Sequence, residues 1–119
     1  MREWRELRLY FRALADVRRL RMVTILAATG EVGVKELCAH LRASQPLVSW
    51  HLRVLRRCGL VNTRRQGRQV FCSLNREAFA AYQSRLAQAI ASPGLEGDVI
   101  GRDETGQLLA GQPPISAGL

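Results

Sequence analysis

SQPLVSWHLRVLRRC, residues 44–58, opens on a serine followed at once by Gln45-Pro46 and closes just before Gly59. Serine suits a helix N-cap because its hydroxyl accepts a hydrogen bond from a first-turn amide. Proline in the first turn costs nothing, since the amide it lacks has no partner inside the helix. Leu47, Val48, Leu52, Val54 and Leu55 supply the apolar positions. The polar ones are Ser44, Gln45, Ser49, His51, Arg53, Arg56 and Arg57. The pattern predicts a helix from about Gln45 to Cys58.

Upstream, Val34, Leu37, Cys38 and Leu41 fall at helical spacing and predict a shorter helix directly before it. Trp4 to Thr29 carries two more apolar helical stretches. They break near Asp16, which can cap the second, and end at Gly30. Downstream the period changes. Leu60–Arg65 and Arg68–Leu74 are β-prone runs around Gln66-Gly67, the signal of a hairpin. Asn75 then caps a last helix, about Arg76 to Ile90, with Phe79, Tyr82, Leu86 and Ile90 on one stripe. Residues 92–119, with three prolines and many glycines, show no period and read as a disordered tail after a single domain of residues 1–91.

The order α-α-α-α-β-β-α gives a mainly α chain with a β-hairpin wing: a winged helix-turn-helix. In that arrangement the leading residues of the second helix meet base edges in the major groove, and the hairpin carries cations to phosphates or into the minor groove. Ser44, Gln45, Ser49, His51, Arg53 and Arg56, with Arg64, Arg65 and Arg68 around the wing tip, are the expected DNA contacts. The charge fits. The formal net charge is +8 over 119 residues, 18 of them Lys or Arg. Residues from Pro93 onward hold one cation against four anions, so the excess lies in residues 1–92, and Lys35 is the only lysine. A guanidinium suits both phosphate and guanine.

SQPLVSWHLRVLRRCGLV followed by NTRRQGRQVFCSLN resembles the recognition helix and wing of the ArsR/SmtB family of bacterial regulators. LYFRALADVRRLRMVTIL (residues 9–26) and VKELCAHL (residues 34–41) resemble its preceding helices, although Val17 stands where proline is usual. The resemblance spans about residues 8–75 and implies a homodimer built from the first and last helices, reading a palindromic operator. The apolar stripes agree: Trp4, Leu7, Phe11 and Leu14 at one end, Phe79, Tyr82, Leu86 and Ile90 at the other, offer more surface than one small chain buries alone. Trp50 occupies a position that varies in the family. It either stacks on a sugar or packs on the preceding helix with partial exposure.

Many relatives sense metals. Where the family's first such site has two cysteines, this chain has Cys38 and His40, which two residues apart on a helix face different ways. The last helix lacks the aspartate and histidines of the second site. No metal and no cofactor is expected, with Cys38 and His40 the sole candidates. Cys58 and Cys72 read as small core residues. Nothing suggests an enzyme: there is no phosphate loop, no paired carboxylates and no nucleophile beside a base. No apolar run is long enough to span a bilayer, and the charged start does not resemble a signal peptide. The expectation is a cytoplasmic, dimeric, sequence-specific repressor that binds double-stranded DNA. The alternatives are a winged-helix module for protein interaction and an RNA-binding protein.

Overall fold

A computed structural model describes residues 2–92. Its elements follow the predicted order with one addition: α1 (Arg2–Leu14), α2 (Val17–Thr29), β1 (Glu31–Gly33), α3 (Val34–Leu41), α4 (Gln45–Arg57), β2 (Val61–Gln66), β3 (Gln69–Leu74) and α5 (Arg76–Ala91). The expected tail lies outside the described residues.

The polar residues that mark helix starts act as caps. An Asp16 carboxylate oxygen accepts from the Arg19 amide at 3.1 Å, Ser44 Oγ from Leu47 at 3.4 Å, and Asn75 Oδ1 from Ala78 at 3.1 Å. Each satisfies one of the amides that a helix N-terminus leaves without a partner.

The sheet corrects the expectation of a simple hairpin. It has three antiparallel strands in the order β1-β3-β2, with Val32 opposite Cys72 in one pair and Arg64 opposite Phe71 in the other. β1 is three residues long and buries only Val32, too little for alternation to register in the sequence. The turn is also one residue further on. Gln66 pairs with Gln69, so Gly67 and Arg68 form the loop. Gly67 takes φ 63° and Arg68 does not have positive φ, the backbone pattern of a II′ hairpin turn, in which the first loop residue favours glycine.

One apolar cluster joins these elements. Met22 and Leu26 of α2, Leu37 of α3, Val48 and Leu55 of α4, Leu60 and Cys72 are all fully buried. Tyr10 of α1 is buried among them. It stacks on Tyr82 of α5 with centroids 4.4 Å apart, and its hydroxyl donates to Gln83 Oε1 at 2.7 Å. Tyr82 in turn donates to the Cys58 carbonyl at 2.8 Å, tying α5 to the end of α4. Leu7 lies in this same core. Its expected place in a dimer interface is therefore corrected, because α1 turns the Leu7–Tyr10–Ala13 edge of its stripe into its own subunit.

Candidate nucleic-acid interface

Helix α4 buries Val48, His51, Leu52 and Leu55, and by helical periodicity its other side divides into two faces. Gln45, Ser49 and Arg56 turn toward the wing, where with Thr63, Arg65 and Arg68 they line a groove of about 430 Å³. Pro46, Trp50, Arg53 and Arg57, all exposed, recur at helical spacing on the outward face. No aspartate or glutamate occurs in α4. The two faces together hold Arg53, Arg56 and Arg57, and the wing adds Arg65 and Arg68, all exposed. Ser44 is exposed at the leading end, its hydroxyl oxygen engaged in the cap.

One expected contact is overturned and a second is engaged within the chain. His51 is only 6% exposed and points inward. Its Nδ1 lies 3.0 Å from an Arg19 guanidinium nitrogen. Because arginine can only donate, Nδ1 accepts and the ring proton resides on Nε2, which is buried without a partner. Burial lowers the His51 pKa, and Arg19 and Arg18 act the same way against the opposing pull of Asp16. Arg19 Nε also donates to the Ala13 carbonyl at 2.6 Å, so one guanidinium clamps α4 to the corner between α1 and α2. The sequence held the signal for this. His51 falls three residues after Val48 and four before Leu55, on the buried stripe.

Arg64 is the second. Its Nε and a terminal nitrogen donate to the two Glu31 carboxylate oxygens at 3.1 and 2.7 Å, and its other terminal nitrogen donates to Gln66 Oε1 at 2.8 Å. The guanidinium lies 4.8 Å from the Phe71 ring centroid. These contacts hold the Glu31 carboxyl below its usual pKa, the hydrogen bond from Arg64 being the largest cause. A fork engaged in this way braces the wing against β1 in the chain without DNA. The sequence could not show it, because Glu31 lies 33 residues away.

On the side of the molecule formed by α1 and α5, Trp4, Phe79, Tyr82 and Leu86 pack partly against their own core, while Phe11 and Ile90 remain exposed, Ile90 at 68%. No residue of α5 is fully buried. Cys38 is half-buried and His40 exposed, and among the described residues no three His, Cys, Asp or Glu side chains gather as a metal site would need. Cys58 and Cys72 are buried, each thiol within 3.3 Å of a backbone carbonyl. Desolvation raises both thiol pKa values, that of Cys72 to about 11, which disfavours the nucleophilic thiolate at both. Among the described residues no helix is long and apolar enough to cross a membrane.

A helix-turn-helix (α3 and α4) with an arginine-rich exposed second helix, followed by a cationic hairpin, defines a winged helix-turn-helix protein. Residues 16–63 match the family described as bacterial regulatory protein, arsR family. The chain is 45% identical over 65 residues to the arsenical resistance operon repressor of Escherichia coli K12, a match covering 55% of this chain and 56% of that one. It is 36% identical over 88 residues to the biofilm growth-associated repressor of Agrobacterium fabrum C58, covering 74% of each. Among solved structures, a Mycobacterium bovis winged helix-turn-helix DNA-binding domain, described as homodimeric and as a possible ArsR-family regulator, is similar with a TM-score of 0.61 at 26% identity, over 79% of this chain and 85% of that one. The chain spans little more than half the length of the arsenic-operon relatives it matches. It belongs to the bacterial ArsR regulatory family.

Proposed function

We propose that this chain is a homodimeric, sequence-specific regulator of transcription that binds double-stranded DNA and represses by covering a promoter. The single observation that carries the reading is the pairing of the carboxylate-free exposed side of α4 with Arg65 and Arg68 of the wing across one groove. That surface offers cations for phosphates beside groups able to reach base edges. The Agrobacterium relative is named a repressor and the Mycobacterium domain is described as homodimeric, which supports repression and a two-fold dimer here. Such a dimer reads two half-sites of an imperfect palindrome, acts in the cytoplasm where the chromosome lies, and does no catalysis. This reading assigns the inducing signal to no metal, because Cys38 and His40, two residues apart on one helix, face different ways and soft metals need thiolates gathered together.

The experiment is binding of the full chain to duplexes selected from a random pool, across a salt series, with single-stranded RNA of matched length as competitor. Duplex affinity should fall steeply as salt rises, and RNA should compete poorly. Replacing Arg65 and Arg68 together with alanine should lower duplex affinity and reduce the logarithmic salt slope by about 0.9 for each phosphate contact removed. Equal affinity for RNA, or an unaltered slope in the double variant, would refute the reading.

A further inference from the structure

Trp50 is 48% exposed at the middle of the outward face of α4. Its helical neighbours on that face are Pro46 one turn before, Arg53 one turn after and Arg57 two turns after, all exposed. The result is an apolar spot framed by cations. Among the described residues the indole takes part in none of the ring pairs or cation–ring contacts, which involve Tyr10, Phe11, Phe79, Tyr82 and Phe71 instead. Leaving a large flat apolar group in water beside arginines has a solvation cost that an occupant of this face would relieve.

The charge on this face identifies the occupant. Arg53, Arg57 and the neighbouring Arg56, with no acid on the helix, fit a polyanion. Trp50 stands five residues after Gln45, about 7.5 Å along the helix axis at 1.5 Å per residue, and so still in the half that faces base edges when such a helix enters the major groove. In that groove the edges of the bases present mostly hydrogen-bonding groups, and the apolar group that protrudes is the 5-methyl of thymine. The apolar face of the indole is complementary to that methyl, while its single N–H donor lies at the ring edge.

We propose that Trp50 is a specificity-determining residue that selects thymine in each half-site by packing its ring on the 5-methyl group, while Arg53 and Arg57 hold the flanking phosphates. The proposal rests on the DNA-binding reading above and deepens it.

The test is a cycle between side chain and methyl. A duplex bound by the full-length protein is remade with single thymines replaced by uracil, which removes the methyl and leaves the pairing edge intact. For the wild type, one thymine in each half-site should lose about three- to fivefold in affinity when demethylated, the value of one buried methyl group. Trp50→Ala should bind the thymine and uracil forms of that site equally. Trp50→His is measured alongside, so the cycle can still be read if alanine at this exposed site abolishes binding; circular dichroism checks that both fold. Wild-type affinity indifferent to every thymine-to-uracil replacement would overturn the proposal, as would a variant that keeps the wild-type methyl dependence. A uniform loss in Trp50→Ala on all sequences, without methyl dependence, assigns the indole to a deoxyribose and likewise overturns it. In each of these cases salt-dependent duplex binding by the wild type would leave the DNA-binding reading standing.

Discussion

Arg64 and Arg65 are adjacent arginines with opposite duties. Along β2 side chains alternate between faces, so when Arg65 lines the groove with α4, Arg64 points the other way. There Glu31, Gln66 and the Phe71 ring occupy it. Surface ion pairs contribute little to stability on their own, but this one joins the wing to β1. Arg64→Ala and Glu31→Gln should therefore weaken duplex binding to a similar degree, about two- to fivefold, with the salt slope unchanged. If Arg64 gripped a phosphate, Arg64→Ala alone would act, and it would reduce the slope by about 0.9. Fluorescence anisotropy on one selected duplex at four or five salt concentrations separates the two cases.

At the scale of elements, α4 is held by the contact between Arg19 and His51. Neutral His51 accepts the guanidinium hydrogen bond; a protonated ring cannot, and its charge would face Arg19 and Arg18 against the single opposing Asp16. The folded pKa lies below the usual value of about 6.5, so the unfolded chain binds the proton more readily. Stability is then full above about pH 6.5 and declines as pH falls through the lowered folded value. Asp16, held low first by the Arg19 amide, stays ionised throughout this window. Thermal melts from pH 8 to pH 5 should show the decline in the wild type and a shallower one in His51→Gln, which does not titrate. Parallel curves would remove His51 from the account. Much of this architecture was legible in the residues: Asp16, Ser44 and Asn75 marked helix starts, and Gly67 marked the hairpin. What escaped has a common cause. β1 is too short to show a period, His51 was counted as polar although its spacing to Val48 and Leu55 is that of the core, and Arg64 meets a partner 33 residues away that no local pattern reveals.

For the whole molecule, α5 poses the central question. It runs 16 residues yet fully buries none of them, holding to its subunit through Tyr82, Gln83 and the half-buried Phe79 and Leu86. A helix that long depends on packing for most of its stability, and its remaining apolar surface, Ile90 together with Phe11 of α1, lies open. Trp4, Arg85, Gln88 and Ala89 border a second groove of about 430 Å³ between the same two helices. A second copy docking α1 and α5 against their counterparts would cover this surface and place two copies of α4 to read neighbouring half-sites. Ile90→Asp puts a charge on that surface at a position its own subunit barely touches, so the fold should survive while the dimer separates. Light scattering should then give the mass of one chain where the wild type gives two. Affinity for a two-half-site duplex should fall by about a hundredfold or more, because the second recognition helix no longer binds as part of the same molecule, while affinity for an isolated half-site stays near its wild-type value. A wild type that is monomeric at micromolar concentration, or an Ile90→Asp chain that keeps both its mass and its affinity, would mean that the exposed side of α5 serves some other purpose and that each chain reads DNA alone.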